Sequence, residues 1–196
     1  MRLILASASP RRAELLRAAG FAFEISPVDV DESVRPGESP DGYVRRLAME
    51  KSERAMASMN HAGAVVLSAD TAVVIEGEIL GKPRDDRHAG EMLRRLSGRS
   101  HEVMTGVSLR VDAVETGHVD VTTVEFSRLS DADITWYVAS GEGRDKAGAY
   151  AIQGLASRFI PRIMGSYSNV VGLPVTTVRE LLDRIASAGH SSYSQR

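Results

Sequence analysis

Five stretches of the chain carry side chains able to handle phosphate, metal and water. Asp70 ends the apolar run Ala64-Val65-Val66-Leu67-Ser68-Ala69, and ligands in α/β sheets collect at strand ends. A carboxylate there can hold Mg²⁺ through oxygen and orient or deprotonate a water; it can equally cap a turn or helix. Ser7-Ala8-Ser9-Pro10-Arg11-Arg12 follows another apolar run and opens a helix. Hydroxyls, paired arginines and the free N–H groups of a helix start suit phosphate, although a capped helix with exposed arginines uses the same residues. In Gly81-Lys82-Pro83 a lysine stands between two backbone-restricting residues, either as a point charge for phosphate or as a solvated loop residue. Asp29 to Glu32 is acidic and is either a second source of metal ligands or a polar loop. In Lys146 to Gly154, small residues are flanked by glycine, which lets backbone approach a ligand closely. Within it the Gln153 carboxamide offers a donor and an acceptor side by side, complementary to the N3–H and carbonyl of uracil or thymine. Its alternative role is to satisfy nearby backbone.

The composition narrows the classes. With 24 Lys and Arg against 26 Asp and Glu, the formal charge of −2 gives no global field for nucleic acid, and no nucleic-acid partner is expected. The only lysines are Lys51, Lys82 and Lys146, so each is a candidate for a specific task. The absence of cysteine excludes disulfides, thiolate zinc sites and a cysteine nucleophile. The five histidines have no metal-ligand spacing. Met1 to Ala8 reads as a strand rather than a signal peptide, and no apolar run spans a membrane. A cytoplasmic protein without a membrane partner is the expectation.

The elements that must position these residues alternate. Arg2 to Ala6 reads as a buried strand, Arg11 to Ala19 as a helix stopped by Gly20, and Phe21 to Ser26 as a second strand. A loop from Asp29 to Pro40 precedes a helix from Pro40 to about Met59. Ala64 to Leu67 is a third buried strand that runs directly into Ala69-Asp70-Thr71, and Val73 to Ile75 continues as strand. Asp85 to Leu96 is a helix. His101 to Val111 and Val119 to Leu129 form a hairpin turning at Glu115 to His118. Ser130 caps a helix to Ala139, on which Trp136 is expected in the core. Arg158 to Met164 is a strand, and Pro174 starts a last helix to about Ala188. The pattern is α/β with a mixed sheet, read as a single domain over residues 1–189 with a disordered tail over 190–196.

The order of these stretches resembles the Maf family of nucleotide pyrophosphatases. Ser7 to Arg12 is similar to its S-x-S-P-R-R opening and Leu47 to Lys51 to its L-A-x-x-K segment. Ala69-Asp70-Thr71, Gly81-Lys82-Pro83, Leu96-Ser97-Gly98 with His101 and Thr105-Gly106, Asp145 to Tyr150 with Ile152-Gln153-Gly154, and Gly165 to Pro174 follow in family order. The resemblance covers residues 1 to 185, with Ser52 and Ser166 as minor departures. It implies an elongated, two-lobed α/β fold with a twisted mixed sheet and a deep central cleft, similar to ITPase. It implies a homodimer that hydrolyses the α–β phosphoanhydride of a nucleoside triphosphate with a divalent cation, Mg²⁺ or Mn²⁺. Asp70 would be the proton acceptor, assisted by Lys82 and Lys51. Ser7, Ser9, Arg11, Arg12, Thr71 and Gln153 would bind substrate, and Asp70 and Glu32 would hold the metal. Arg12, Thr71 and Gln153 resemble the dTTP/UTP branch rather than the 7-methyl-GTP branch. A septum-formation inhibitor acting through a protein partner is the alternative that the family also implies.

Overall fold

The computed structural model describes residues 2–58 and 63–191, the last four by backbone alone. Its strands are β1 (Arg2–Leu5), β2 (Glu24–Ile25), β3 (Ala64–Ile75), β4 (Glu78–Leu80), β5 (Ser100–Val111), β6 (Val114–Glu125) and β7 (Arg162–Met164). They form one mixed sheet in the order β2-β1-β3-β5-β6-β7, with β4 also paired to β3. The helices are α1 (Pro10–Ala18), α2 (Pro40–Ser58), α3 (Asp86–Leu96), α4 (Asp131–Ser140), α5 (Tyr167–Val171) and α6 (Val175–Ser191).

β3 is the spine. Alternation sends its side chains to opposite faces. Val66, Ala72 and Val74 pack with residues of the α2 side, including Val44 and Ala55. Val65, Leu67 and Ala69 pack with Leu16 of α1 and Leu181 of α6. Val73 and Ile75 join Leu93, Tyr137 and Phe126 in a third cluster. β3 therefore runs through two lobes, one built on β1, α1 and α6, the other on β4, α3 and α4.

The lobes separate along one edge of β3. Ala64–Leu67 pair with β1 in parallel, and Val73–Ile75 pair with β4 antiparallel. Between them, residues 68–72 pair only with β5 among the described strands. Asp70 and Thr71 lie in this gap. Asp70 is thus mid-strand rather than at a strand end, because the ladder to β5 continues unbroken past it. The gap on the other edge supplies the opening that the sequence suggested.

Three boundaries differ from the sequence reading. The hairpin turns at Asp112 and Ala113, with Asp112 at φ 50°. Glu115 to His118 belong to β6, where they pair in register with Arg110 to Val107 of β5, and Glu115 accepts from Arg45 of α2 (2.7 Å) and Ser108 of β5 (2.6 Å). β6 ends at Glu125, and Arg158 is part of a 3-10 turn over Leu155–Phe159 that precedes β7. β2 is only two residues long. Trp136 is 42% exposed: its ring meets Phe159 edge-on and is covered by the Arg158 guanidinium instead of being buried in the core. Met59 and residues 192–196 lie outside the described residues; α6 itself reaches Ser191.

Candidate active site

The gap in β3 opens into a cavity of about 840 Å³ lined from both lobes. One lobe contributes Ser7, Ser9, Arg11, Arg12, Glu32, Tyr43, Lys51, Asp70 and Thr71; the other contributes Lys82, Asp145, Lys146, Tyr150 and Gln153. Every site residue singled out from sequence therefore meets in one cavity, and so do all three lysines of the chain.

Lys51 is the electrostatic centre. It lies on the α2 stripe Val44, Leu47, Ala48, Lys51, Ser52, Ala55, a 3–4 spacing that faces the sheet. α2 comes close because Gly106, opposite Asp70 on β5, has no side chain: a Cβ there would overlap the Val44 carbonyl. Ser68 Oγ, two residues before Asp70, donates to the Ala48 carbonyl at 2.5 Å and fixes the same approach. The Lys51 ammonium donates to Asp70 Oδ1 (2.6 Å) and Glu32 Oε1 (2.7 Å). A buried lysine on an apolar stripe is stable only with such partners.

Glu32 arrives on a loop without regular structure. Arg46 staples that loop to α2 through Glu38 (2.5 and 2.7 Å) and the Ser33 carbonyl (3.1 Å). The hydrogen bond from Arg46 holds the Glu38 carboxyl down to about 2. The Tyr43 hydroxyl donates to the Glu32 carbonyl at 3.0 Å, and burial raises this phenol to about 12. Burial would raise Glu32 as well. The hydrogen bond and charge of Lys51, then the charges of Lys82 and Arg12, outweigh it and hold the carboxyl below its usual value.

The helix start differs from its counterparts. Asp85, Ser130 and Ser166 each accept from a backbone N–H of the helix they cap. Ser9 at the N-cap of α1 makes no such bond, although Pro10 occupies the first turn. The α1 donors and the Ser9 hydroxyl thus remain free of a local cap at the cavity wall, a suitable arrangement for an anion. Arg12 is tied down: it donates to Gly172 O (2.8 Å), Ser7 Oγ (3.1 Å) and Thr71 Oγ1 (3.1 Å). Burial draws its guanidinium below the ordinary arginine value, only partly countered by Asp70, and it stays charged. Thr71 also shares a hydroxyl contact with Thr105 at 2.9 Å. Arg12 and Thr71 brace the cavity wall, whereas Arg11 and Lys82 make no hydrogen bond to a described residue.

The other rim is a clamped loop. The Glu142 carboxylate accepts from Tyr137 Oη (2.7 Å), Leu155 N (2.9 Å) and Ala156 N (3.4 Å). Ala151 N donates back to the Tyr137 hydroxyl at 3.1 Å. Gly148 sits at φ 68° and donates to Gly81 O at 3.1 Å, joining the loop to the Lys82 turn. A Cβ at Gly154 would overlap the Glu142 carboxylate. His101 Nε2 lies 2.8 Å from Tyr150 Oη, and the two rings stack edge-on with Phe126. Gln153 stands exposed on this frame, its carboxamide without a hydrogen bond to a described residue.

Tyr43, Arg46, Glu142 and Tyr137 escaped the sequence reading. The one available signal was the placing of charged Arg46 and Lys51 on a helix face otherwise occupied by Val44, Leu47 and Ala48.

Known proteins agree with this architecture. Residues 2–185 match the family model described as Maf-like protein, and the chain belongs to that family. It is 55% identical over 187 residues to a dTTP/UTP pyrophosphatase of Anaeromyxobacter dehalogenans, covering 93% of each chain. It is 51% identical over 180 residues to a dTTP/UTP pyrophosphatase of Escherichia coli O157:H7, covering 92% of this chain and 91% of the relative. The Staphylococcus aureus Ham1 protein shares the fold, with a TM-score of 0.52 at 14% identity over 96% of this chain and 100% of that one.

Proposed function

We infer that this chain hydrolyses dTTP and UTP, and related modified pyrimidine nucleotides, to the monophosphate and pyrophosphate. The reaction removes unwanted nucleotides from the pool. What carries it is the meeting of Asp70, Lys51, Glu32, Lys82 and Arg11 with the unpaired Gln153 carboxamide in one cavity, in a chain half identical to proteins named for this reaction.

The triphosphate lies along Ser7, Ser9, Arg11 and Lys82, with the free α1 N–H groups as further donors. Arg12 and Thr71 hold that wall in place. Gln153 presents its donor–acceptor pair to the imide edge of uracil or thymine. Asp70 Oδ2, unbonded within the described protein, orients the attacking water and takes its proton. The water oxygen bonds to the α-phosphorus as the bond to the bridging oxygen breaks, and pyrophosphate leaves with both electrons. Lys51 and Lys82 stabilise the charge that accumulates.

A divalent cation fits the donor set. Among the described residues no three His, Asp or Glu side chains gather as a metal site. Two carboxylates, Asp70 and Glu32, converge instead on one point. Mg²⁺ is commonly held by one or two carboxylates with phosphate oxygens and water completing its shell. Bound there, it would supply Lewis-acid neutralisation of phosphate charge. A homodimer, a cytoplasmic location and a septum-formation role extend the family reading. Among the described residues no helix is long and apolar enough to cross a membrane.

The test is a panel of canonical and modified triphosphates incubated with Mg²⁺ or Mn²⁺, with products resolved by chromatography. Pyrophosphate and monophosphate from dTTP and UTP are expected. Orthophosphate and diphosphate, or preference for a purine, would overturn the reading.

A further inference from the structure

Lys51 occupies the point that a cation shared by Asp70 and Glu32 must use. Its side chain is only 9% exposed, so the ammonium is confined by α2 and β3 rather than free to wander. Two of its three N–H donors are spent on Asp70 Oδ1 and Glu32 Oε1. Without a positive charge between them, two carboxylates so close would repel. The Lys51 ammonium supplies that charge and keeps the pair together.

Resting on the pyrophosphatase reading, we propose that Lys51 is a built-in counter-ion that competes with the divalent metal for Asp70 and Glu32. A metal arriving alone must displace an ammonium from both carboxylates, so it binds weakly. A nucleotide brings phosphate oxygens, which accept the ammonium as readily as carboxylates do. Once Lys51 turns to phosphate, the two carboxylates are free for the metal. Lys51 thereby couples metal binding to nucleotide binding and keeps the metal out of an empty cleft. The coupling is of the ordinary thermodynamic kind, in which each ligand improves the other's affinity by the same factor.

Mn²⁺ binding without nucleotide, followed by calorimetry and by loss of the free-ion electron paramagnetic resonance signal, tests this. Lys51→Met should bind Mn²⁺ at least about tenfold more tightly than wild type, and Lys51→Arg should not. Lys82→Met removes the same charge from the cavity without touching the carboxylates. It should tighten Mn²⁺ much less. Equal tightening in both Met variants would reduce the effect to general cleft potential and overturn the proposal, as would unchanged binding in Lys51→Met. Wild-type protein gives a second readout that does not depend on any variant folding. With three lysines to resolve by mass spectrometry, amine labelling of Lys51 should accelerate severalfold at saturating Mn²⁺, with Lys82 and Lys146 as internal references. Labelling of Lys51 that is unchanged or slowed would overturn the proposal. Neither readout uses hydrolysis, so competition without dTTP cleavage would refute the pyrophosphatase reading alone, and cleavage without competition would refute the counter-ion alone.

Discussion

The two ends of the cleft are built by different means. At the phosphate end, charge does the positioning: Lys51 draws two carboxylates together, and Arg46 staples the Glu32 loop to α2. At the base end, hydrogen bonds to backbone do it: the Glu142 carboxylate and Tyr137 hydroxyl accept from loop N–H groups, and with close-fitting glycines they fix a loop from which Gln153 projects without a hydrogen bond to a described residue. The difference suits the proposed ligand. A triphosphate is bound by strong, weakly directional attraction, and cationic groups tolerate small shifts. A pyrimidine imide is distinguished by two hydrogen bonds, which need a frame held to fractions of an ångström. Damage at the first end should therefore cost turnover, and damage at the second should cost recognition.

The largest effect is expected from Asp70→Asn, which should lower kcat by about a hundredfold or more while leaving nucleotide binding measurable. Normal dTTP turnover by this variant would remove Asp70 from the chemistry. Acid should act next, and at the base end. Burial lowers His101 to about 4, so folding keeps it neutral where the unfolded chain would protonate it. Its contribution is complete above pH 6.5 and is lost as pH falls from there towards 4, by up to about 3 kcal/mol. Denaturant melts across that range should show a shallower loss for His101→Gln; parallel curves would contradict the assignment.

Gly154→Ala should force the loop away from Glu142. A raised KM for dTTP with weaker selectivity over purines is expected, with roughly 1–3 kcal/mol of stability lost. A fall in kcat with KM intact would erase the proposed division between the ends. Tyr137→Phe deletes the hydroxyl shared by Glu142 and Ala151 N, and thermal melts should register about 1–2 kcal/mol. The smallest effect belongs to Arg144→Ala, which breaks an exposed pair with Asp86. Melting temperature and turnover should both stay at wild-type values.

The sequence was legible where chemistry and local structure coincide. Ser7 to Arg12 announces a strand, a helix start and phosphate donors together, and the observed β1 and α1 follow it. Asp70, Lys82 and Gln153 were visible as residue types in telling surroundings. The hairpin turn was misplaced because Glu115 to His118 look like solvent-facing turn residues. Glu115 instead finds its partners in Arg45 of α2 and Ser108 of the facing strand. Trp136 differs for the converse reason: an aromatic on a helix predicts burial, yet this ring stays at the surface between Phe159 and Arg158.

Taken alone, the order of residues determined the alternation of strands and helices, the inventory of cations and carboxylates, and the family. Those depend on side-chain type and near-neighbour spacing. Only the tertiary structure decided that one edge of β3 goes unpaired among the described strands over residues 68–72, that Glu32 and Asp70 share one ammonium 19 positions from each, and that Arg12 braces the wall through Gly172. Such contacts bring together groups distant along the chain, and packing of α2 against Gly106 sets their geometry.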